Sequence, residues 1–161
     1  MDHMSVLSGV WPQSDLDPVR RMRILVAALP HAAFRERVLD APFDDVWRVA
    51  SDLEQGTPQW EKNVAALAVL QQEDDRLEVE IRSPFGISLR AHAVLRPGWC
   101  VMQGRLFAVG MAATPEGQRT RFAHFEALRL PGSRILRPLL RHRIHHEFET
   151  LERLAQLKAD G

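Results

Sequence analysis

The chain has 161 residues, 45% hydrophobic and 26% charged, with 21 basic and 21 acidic side chains. That is about one domain, with enough chain to bury a core. The balanced charge argues against nucleic acid or an anionic membrane as dominant partner, since both call for a basic surface. Cys100 is the only cysteine, so no intrachain disulfide forms and a reducing, cytoplasmic setting is expected.

Residues 1 to about 14 mix Ser, Gly, Pro and isolated apolar residues without a period and are expected to be loose. From Asp15 a helix is expected: Asp17 and Pro18 suit its first turn, and Val19, Met22, Val26 and Leu29 share one face before Pro30 ends it. A strand over Ile24 to Leu29 is the alternative. Arg20-Arg21-Met22-Arg23 before Ile24-Leu25-Val26-Ala27-Ala28-Leu29 is the nearest thing to an export signal. Its apolar run falls short of the roughly 7–15 residues a signal core needs. No stretch approaches the roughly 18 apolar residues of a membrane span.

His31 to Leu39 alternates as a strand, with Phe34, Glu36 and Val38 opposed to Arg35 and Arg37. A helix follows, opened by Pro42 with Asp44 and Asp45 in its first turn, where acids complement the helix dipole. Phe43, Val46, Trp47 and Ala50 hold helical spacing. A second short helical segment starts near Leu53, is broken by Gly56 and Pro58, and reaches Trp60.

The period then changes to two. Strands are expected over Val64 to Gln71, Arg76 to Arg82, Ser88 to Arg96, Trp99 to Gly104, Leu106 to Ala113 and Arg119 to Leu130. Turns at Pro84-Phe85-Gly86, Pro97-Gly98 and Thr114-Pro115-Glu116-Gly117 join them, so the run is an antiparallel meander. After Pro131-Gly132 comes the longest helical pattern. Leu136, Leu140, Ile144, Glu147, Leu151 and Leu154 form one row, flanked by Leu139, Phe148 and Ala155. Pro138 is tolerable only near a helix start, so regular helix is expected from about Arg137.

The order is strand, two short helices, six strands and a long helix (β-α-α-β6-α). It predicts an α+β helix-grip fold from about residue 31 to 161, a seven-stranded curved antiparallel sheet around the C-terminal helix, preceded by an extension of residues 1–30. A twisted sheet needs its concave face covered. One straight helix does not fill a curved sheet, so a mainly apolar cavity for a small molecule is expected between them.

Asp40-Ala41-Pro42-Phe43-Asp44-Asp45-Val46-Trp47, followed by Ser51-Asp52-Leu53-Glu54 and Trp60, resembles the opening of the START-like superfamily, also called SRPBCC. That superfamily includes the polyketide cyclase/dehydratase and lipid-transport group. Pro115-Glu116-Gly117 leading to Thr120-Arg121-Phe122-Ala123-His124-Phe125-Glu126 resembles its closing strand, and Arg137-Pro138-Leu139-Leu140 the start of its final helix. The resemblance covers roughly residues 33 to 158. It implies an apolar-ligand cavity and, in some members, cyclisation or dehydration chemistry; function itself is argued from the site.

Thr120, Phe122, His124, Glu126 and Leu128 share one face of the last strand. If that face is inner, His124 and Glu126 stand about 7 Å apart along the strand as an imidazole and a carboxylate equipped for proton transfer. If it is outer, Ala123, Phe125 and Ala127 point inward instead. Trp60, Phe85, Trp99, Met102, Phe107 and Met111 are candidates to line or cap a cavity. So are Val79, Ile81, Ala91 and Phe122 on the strands and Leu136, Leu140 and Ile144 on the long helix. Trp60 and Phe85 sit in loop-like segments where a lid would be built.

His142 and His146 are one helical turn apart, a chelating spacing, but Arg143 follows His142 and the sequence marks no third ligand, so no metal or other cofactor is expected. With His145 and Arg134, Arg137, Arg141 and Arg143 they make the helix start basic, either a solvated face or a site for an anionic head group or partner. Cys100 reads as a small buried hydrophobe. No phosphate-binding Gly-rich loop, dinucleotide fingerprint or Ser nucleophile elbow is present.

The leading expectation is a monomeric or homodimeric binder of a small hydrophobic molecule (lipid, polyketide or aromatic metabolite), with His124, Glu126 or Arg90 supplying polar contacts. One alternative is a cyclase/dehydratase-type enzyme using His124 and Glu126. The other is a protein-interaction module docking through the basic helix or the N-terminal extension.

Overall fold

The computed structural model describes residues 16–159, so the expected looseness of the first 14 residues lies outside the described part. Helix α1 (Pro18–Ala27) opens the described chain. Asp17 caps it by accepting from the backbone N–H of Arg20, and Pro18 occupies the first turn, where its missing N–H costs nothing. Strand β1 (Ala33–Leu39) leads into α2 (Phe43–Ser51), and the one-turn helix α3 (Thr57–Trp60) follows. Gly56 permits that succession, because a Cβ there would lie 2.0 Å from the carbonyl oxygen of Val49.

Six strands come next: β2 (Ala66–Glu73), β3 (Arg76–Arg82), β4 (Ser88–Arg96), β5 (Trp99–Gly104), β6 (Phe107–Glu116) and β7 (Arg119–Leu128). With β1 they form one antiparallel sheet in the order β1-β7-β6-β5-β4-β3-β2. The expected meander, helix-grip order and α+β class are all present. Strands β3, β4 and β5 coincide with the alternating segments read from sequence, whereas β2 begins two residues later and β6 runs on to Glu116.

The long helix α4 spans Ser133–Ala159 and starts four residues before the expected point, with Pro138 inside it. Pro138 removes only the bond that the carbonyl of Arg134 would accept. Residues 134–139 are all exposed, so water satisfies that carbonyl and the helix continues. Beyond Leu140 the helix turns a continuous face to the sheet: Leu140, Ile144, Glu147, Phe148, Leu151 and Ala155 are buried. Its C-terminal half is tied to the end of β1. Glu152 accepts from the backbone N–H of Asp40 at 2.7 Å, and Gln156 donates to the Asp40 carbonyl at 2.9 Å.

The main core lies between the sheet's inner face and α2, α3 and α4, joining Leu39, Val46, Val49, Trp60, Val79, Met102, Phe122, Ile144, Phe148 and Leu151. A second core occupies the outer face, where Val19 and Met22 of α1 pack on Ala108, Ala112, Ala123, Phe125 and Ala127. Helix α1 is therefore a cover over β6 and β7, and β7 is buried on both faces.

Candidate functional site

Strand β7 turns Thr120, Phe122, His124 and Glu126 inward and Ala123, Phe125 and Ala127 toward α1. His124 and Glu126 thus point into the same interior. Two further carboxylates meet them there. Glu61 is the C-cap residue of α3, and its position is set by Trp60, whose ring stands edge-on to Phe122 at 5.8 Å and to His124 at 5.3 Å. Glu147 sits on the buried face of α4 between Ile144 and Leu151.

The four side chains are buried and converge on Nε2 of His124. Glu61 Oε2 lies 2.7 Å from it, Glu126 Oε1 3.5 Å and Glu147 Oε2 3.6 Å. Each residue is also held from behind. His124 Nδ1 is 2.9 Å from the carbonyl oxygen of Gly110; a carbonyl only accepts, so Nδ1 carries the hydrogen. The backbone N–H groups of Asn63 and Lys62 donate to Oε1 of Glu61 and Oε1 of Glu147. The side-chain amide of Asn63 donates to Glu126, and Arg143 donates to the Asn63 carbonyl oxygen. The atoms facing the centre, Glu61 Oε2, His124 Nε2 and Glu147 Oε2, have no hydrogen-bond partner; the short Glu61–His124 contact is close in distance but not aligned.

The electrostatics follow from burying so many charges together. Burial pulls the His124 imidazole down, but Glu61, with Glu126 and Glu147, more than reverses this and holds it well above its ordinary value. Burial would raise Glu61, yet the facing imidazolium keeps it below the usual carboxylate range. Burial, reinforced by the charge of Glu61, raises Glu126 and pushes Glu147 up to about 9. With protons as the only cations, His124 and Glu61 form an imidazolium–carboxylate pair beside which Glu147 keeps its proton at neutral pH. Such a group can exchange a proton with a molecule that reaches it.

A small cavity adjoins the cluster. Its volume is about 30 Å³, and Trp60, Val64, Leu67, Ile81, Met102, Val109 and Met111 line it with Thr57, Glu61 and His124. That is room for about one water molecule, against the 300–1,000 Å³ typical of ligand pockets. The expected void between a straight helix and a curved sheet is largely closed by the interlocking rings of Trp60, Phe122 and Phe148.

Of the residues expected to line a cavity, Trp60, Ile81, Met102 and Met111 do so, with Glu61 and His124. Val79, Ala91, Phe122, Leu140 and Ile144 belong to the surrounding core, and Phe107 packs against it. Three lie elsewhere. Trp99 points to the outer face and packs with the α1 cluster. Phe85, 87% exposed, sits in the β3–β4 turn, and Leu136, 44% exposed, lies on the part of α4 ahead of its buried face. Arg90 is on the outer face, near Glu78 at 3.7 Å. His142 and His146 face each other across 3.2 Å at the surface. Sequence reading passed over Glu61, Asn63 and the role of Glu147. Only Glu147 carries a signal, as the lone charge in an apolar helical row.

No protein-family model matches the sequence, and no curated protein matches it. Solved structures do resemble it. A protein from Thermus thermophilus matches with a TM-score of 0.60 at 22% identity, over 81% of this chain and 99% of that one. The Zhui aromatase/cyclase from Streptomyces sp. R1128 matches with a TM-score of 0.62 at 12% identity, over 80% of this chain and 94% of that one. A START superfamily protein from Mycobacterium smegmatis matches with a TM-score of 0.55 at 20% identity, over 78% and 98%. The chain has the START-like helix-grip fold.

Proposed function

We propose that the protein binds a small, mainly apolar molecule carrying one polar group, with that group set against Glu61 and His124. The supporting observation is the make-up of the pocket wall: apolar side chains throughout, apart from Thr57 and two members of the buried ionisable cluster. Trp60, also in the wall, keeps a buried indole N–H with no partner, a donor available to a guest. The aromatase/cyclase among the similar structures agrees with a guest of polyketide type. One free thiol and no second cysteine agree with action in a reducing cytoplasm.

A guest larger than water must widen the pocket, and each 100 Å² of apolar surface it buries contributes about 2.5 kcal/mol toward that opening. Displacing α3 and the segment 61–65 widens it without breaking the sheet. Native mass spectrometry for a co-purified molecule tests this reading, together with thermal shifts against long-chain fatty acids and polycyclic phenols. A rise of several degrees with one class is expected, abolished in Val109→Trp, which fills the pocket. If no probe of either class shifts the transition, the reading fails.

The 2.7 Å approach of Glu61 to His124 favours a second reading, cyclase/dehydratase-type proton transfer at this pair. In that case His124→Gln keeps the thermal shift with a polycyclic phenol and loses turnover of a polyketide-type substrate.

A further inference from the structure

Among the described residues, Glu61, His124, Glu126 and Glu147 are all buried, and the atoms they offer lie within 4.8 Å of one another. We infer that these four side chains form a binding site for a single first-row divalent transition-metal ion. A cluster of acids alone would not carry this conclusion. What carries it is the way the four groups are held.

The bond from Nδ1–H of His124 to the Gly110 carbonyl keeps the hydrogen on Nδ1, so Nε2 is the nitrogen that gives up its proton to an incoming ion. Glu61 and Glu147 are each anchored through Oε1 by a backbone N–H, which leaves Oε2 turned inward. Asn63 grips Glu126, and Arg143 grips Asn63. Every member thus has its outer partner in place, and Glu61 Oε2, His124 Nε2 and Glu147 Oε2 are buried at the centre without a hydrogen-bond partner. Buried oxygen and nitrogen donors in that arrangement hold either protons or a metal ion that displaces them.

The spacing fits a small ion. Ligand atoms about 2.1 Å from a common ion stand about 3.0–3.4 Å apart for angles between square and tetrahedral. Nε2 lies 2.7, 3.5 and 3.6 Å from the three carboxylate oxygens. The widest pair has to close by about 1.4–1.8 Å at most, within the reach of glutamate side-chain rotation. One imidazole with three carboxylates suits zinc, manganese or ferrous iron. Calcium prefers six to eight oxygens, and magnesium keeps several waters for which this interior has no room. Two positive charges against three carboxylates leave one negative charge, which Arg143 offsets through Asn63.

The site shares Glu61 and His124 with the wall of the pocket, but an ion needs no apolar guest to bind, so the test is run without one. Full-length protein is stripped with EDTA, dialysed, and titrated with Zn²⁺ or Mn²⁺ against a chromophoric chelator; Ca²⁺ and Mg²⁺ serve as controls in thermal shift. Expected is about one ion per chain, with affinity falling at least tenfold in Glu61→Gln and in Glu147→Gln. These variants keep side-chain volume and replace a ligating carboxylate with an amide, and circular dichroism verifies their fold. Wild-type protein loaded with Co²⁺ gives a second readout that needs no variant: the strong visible bands of a four- or five-coordinate ion. The surface pair His142 and His146 is the rival site, so His142→Asn/His146→Asn must leave binding unchanged. Stoichiometric binding lost with the buried glutamates supports the site. Absence of binding, binding lost only with the surface histidines, or weak bands of a six-coordinate aquo ion overturns it.

Discussion

The guanidinium of Arg143 donates to Oδ1 of Asn63 at 2.6 Å, and the amide of Asn63 passes that polarity inward to both carboxylate oxygens of Glu126. A loop residue thus connects a half-buried cation on α4 to a buried acid on β7. Asn63→Ala leaves Glu126 without its side-chain donors and is expected to cost about 1–3 kcal/mol in urea unfolding. Arg143→Met, at a less buried position, is expected to cost less. Equal stability of Asn63→Ala and wild type would show the relay to be idle.

Helix α1 is held by packing more than by charge. Met22 is fully buried, and its methyl would lie 3.2 Å from a Cβ placed on Gly110. Met22→Ala opens a void between α1 and β6 and is expected to lower stability by about 2–4 kcal/mol. A loss under about 1 kcal/mol in guanidinium unfolding would mean that the outer cover contributes little.

The same helix carries a pH-dependent tie. Glu36 on β1 accepts from Arg23 of α1 at 2.6 Å and from Arg121 of β7 at 3.2 Å. Hydrogen bonding to Arg23 is the main reason its carboxyl lies below the ordinary 4.5, against a smaller opposing effect of burial. A depressed carboxyl favours the folded state above its unfolded value and loses that contribution as pH falls through the folded one. Glu36→Gln is therefore expected to cost about 0.5–1 kcal/mol at pH 7, the discount reflecting partial exposure. The gap to wild type should close as pH drops from 4.5 downward, and denaturant midpoints at pH 7, 4 and 3 measure it. A gap that widens on acidification refutes the assignment.

Cys100 lies buried on the inner face of β5, and burial pushes its thiol up to about 12. At pH 8 the folded protein should react with iodoacetamide far more slowly than a free thiol, and unfolding in guanidinium should restore the ordinary rate. Rapid labelling of native protein would show that the pocket wall opens readily at this point.

The removal of one buried acid should help the ion-free protein. Glu147→Gln takes away a carboxyl that burial and Glu61 both press to remain uncharged, so thermal unfolding in EDTA at pH 8 is expected at a higher temperature than for wild type. A lower temperature would mean that Glu147 is favourably charged without an ion.

The sheet was legible because Leu77, Val79 and Ile81 against Glu78, Glu80 and Arg82 leave no doubt about period or face. The last strand was legible too, but not its inner face, since residues on both its faces are apolar or buried: Phe122 meets the inner core and Phe125 meets α1. Alternation cannot rank two buried faces. Pro138 misled the helix start because sequence does not reveal that the surrounding turn stands in water. The site was half visible. His124 and Glu126 follow from strand spacing, but Glu61 owes its place to a single helical turn ended by Trp60, and no periodicity marks so short an element. Glu147 stood in plain view within an apolar row, where a charge costs too much to be incidental.

The cover that α1 lays over β6 and β7 divides the molecule mechanically. Those two strands are clamped between layers on both sides. The outer faces of β3 and β4 bear Glu78, Glu80, Arg90 and His92, which are exposed or only partly buried. The β6–β7 half is the anvil and the β2–β4 half the spring. His124 therefore stands on a strand braced from both sides, so any widening of the interior falls to the parts with no second layer, the segment 61–65 and the β2–β4 half.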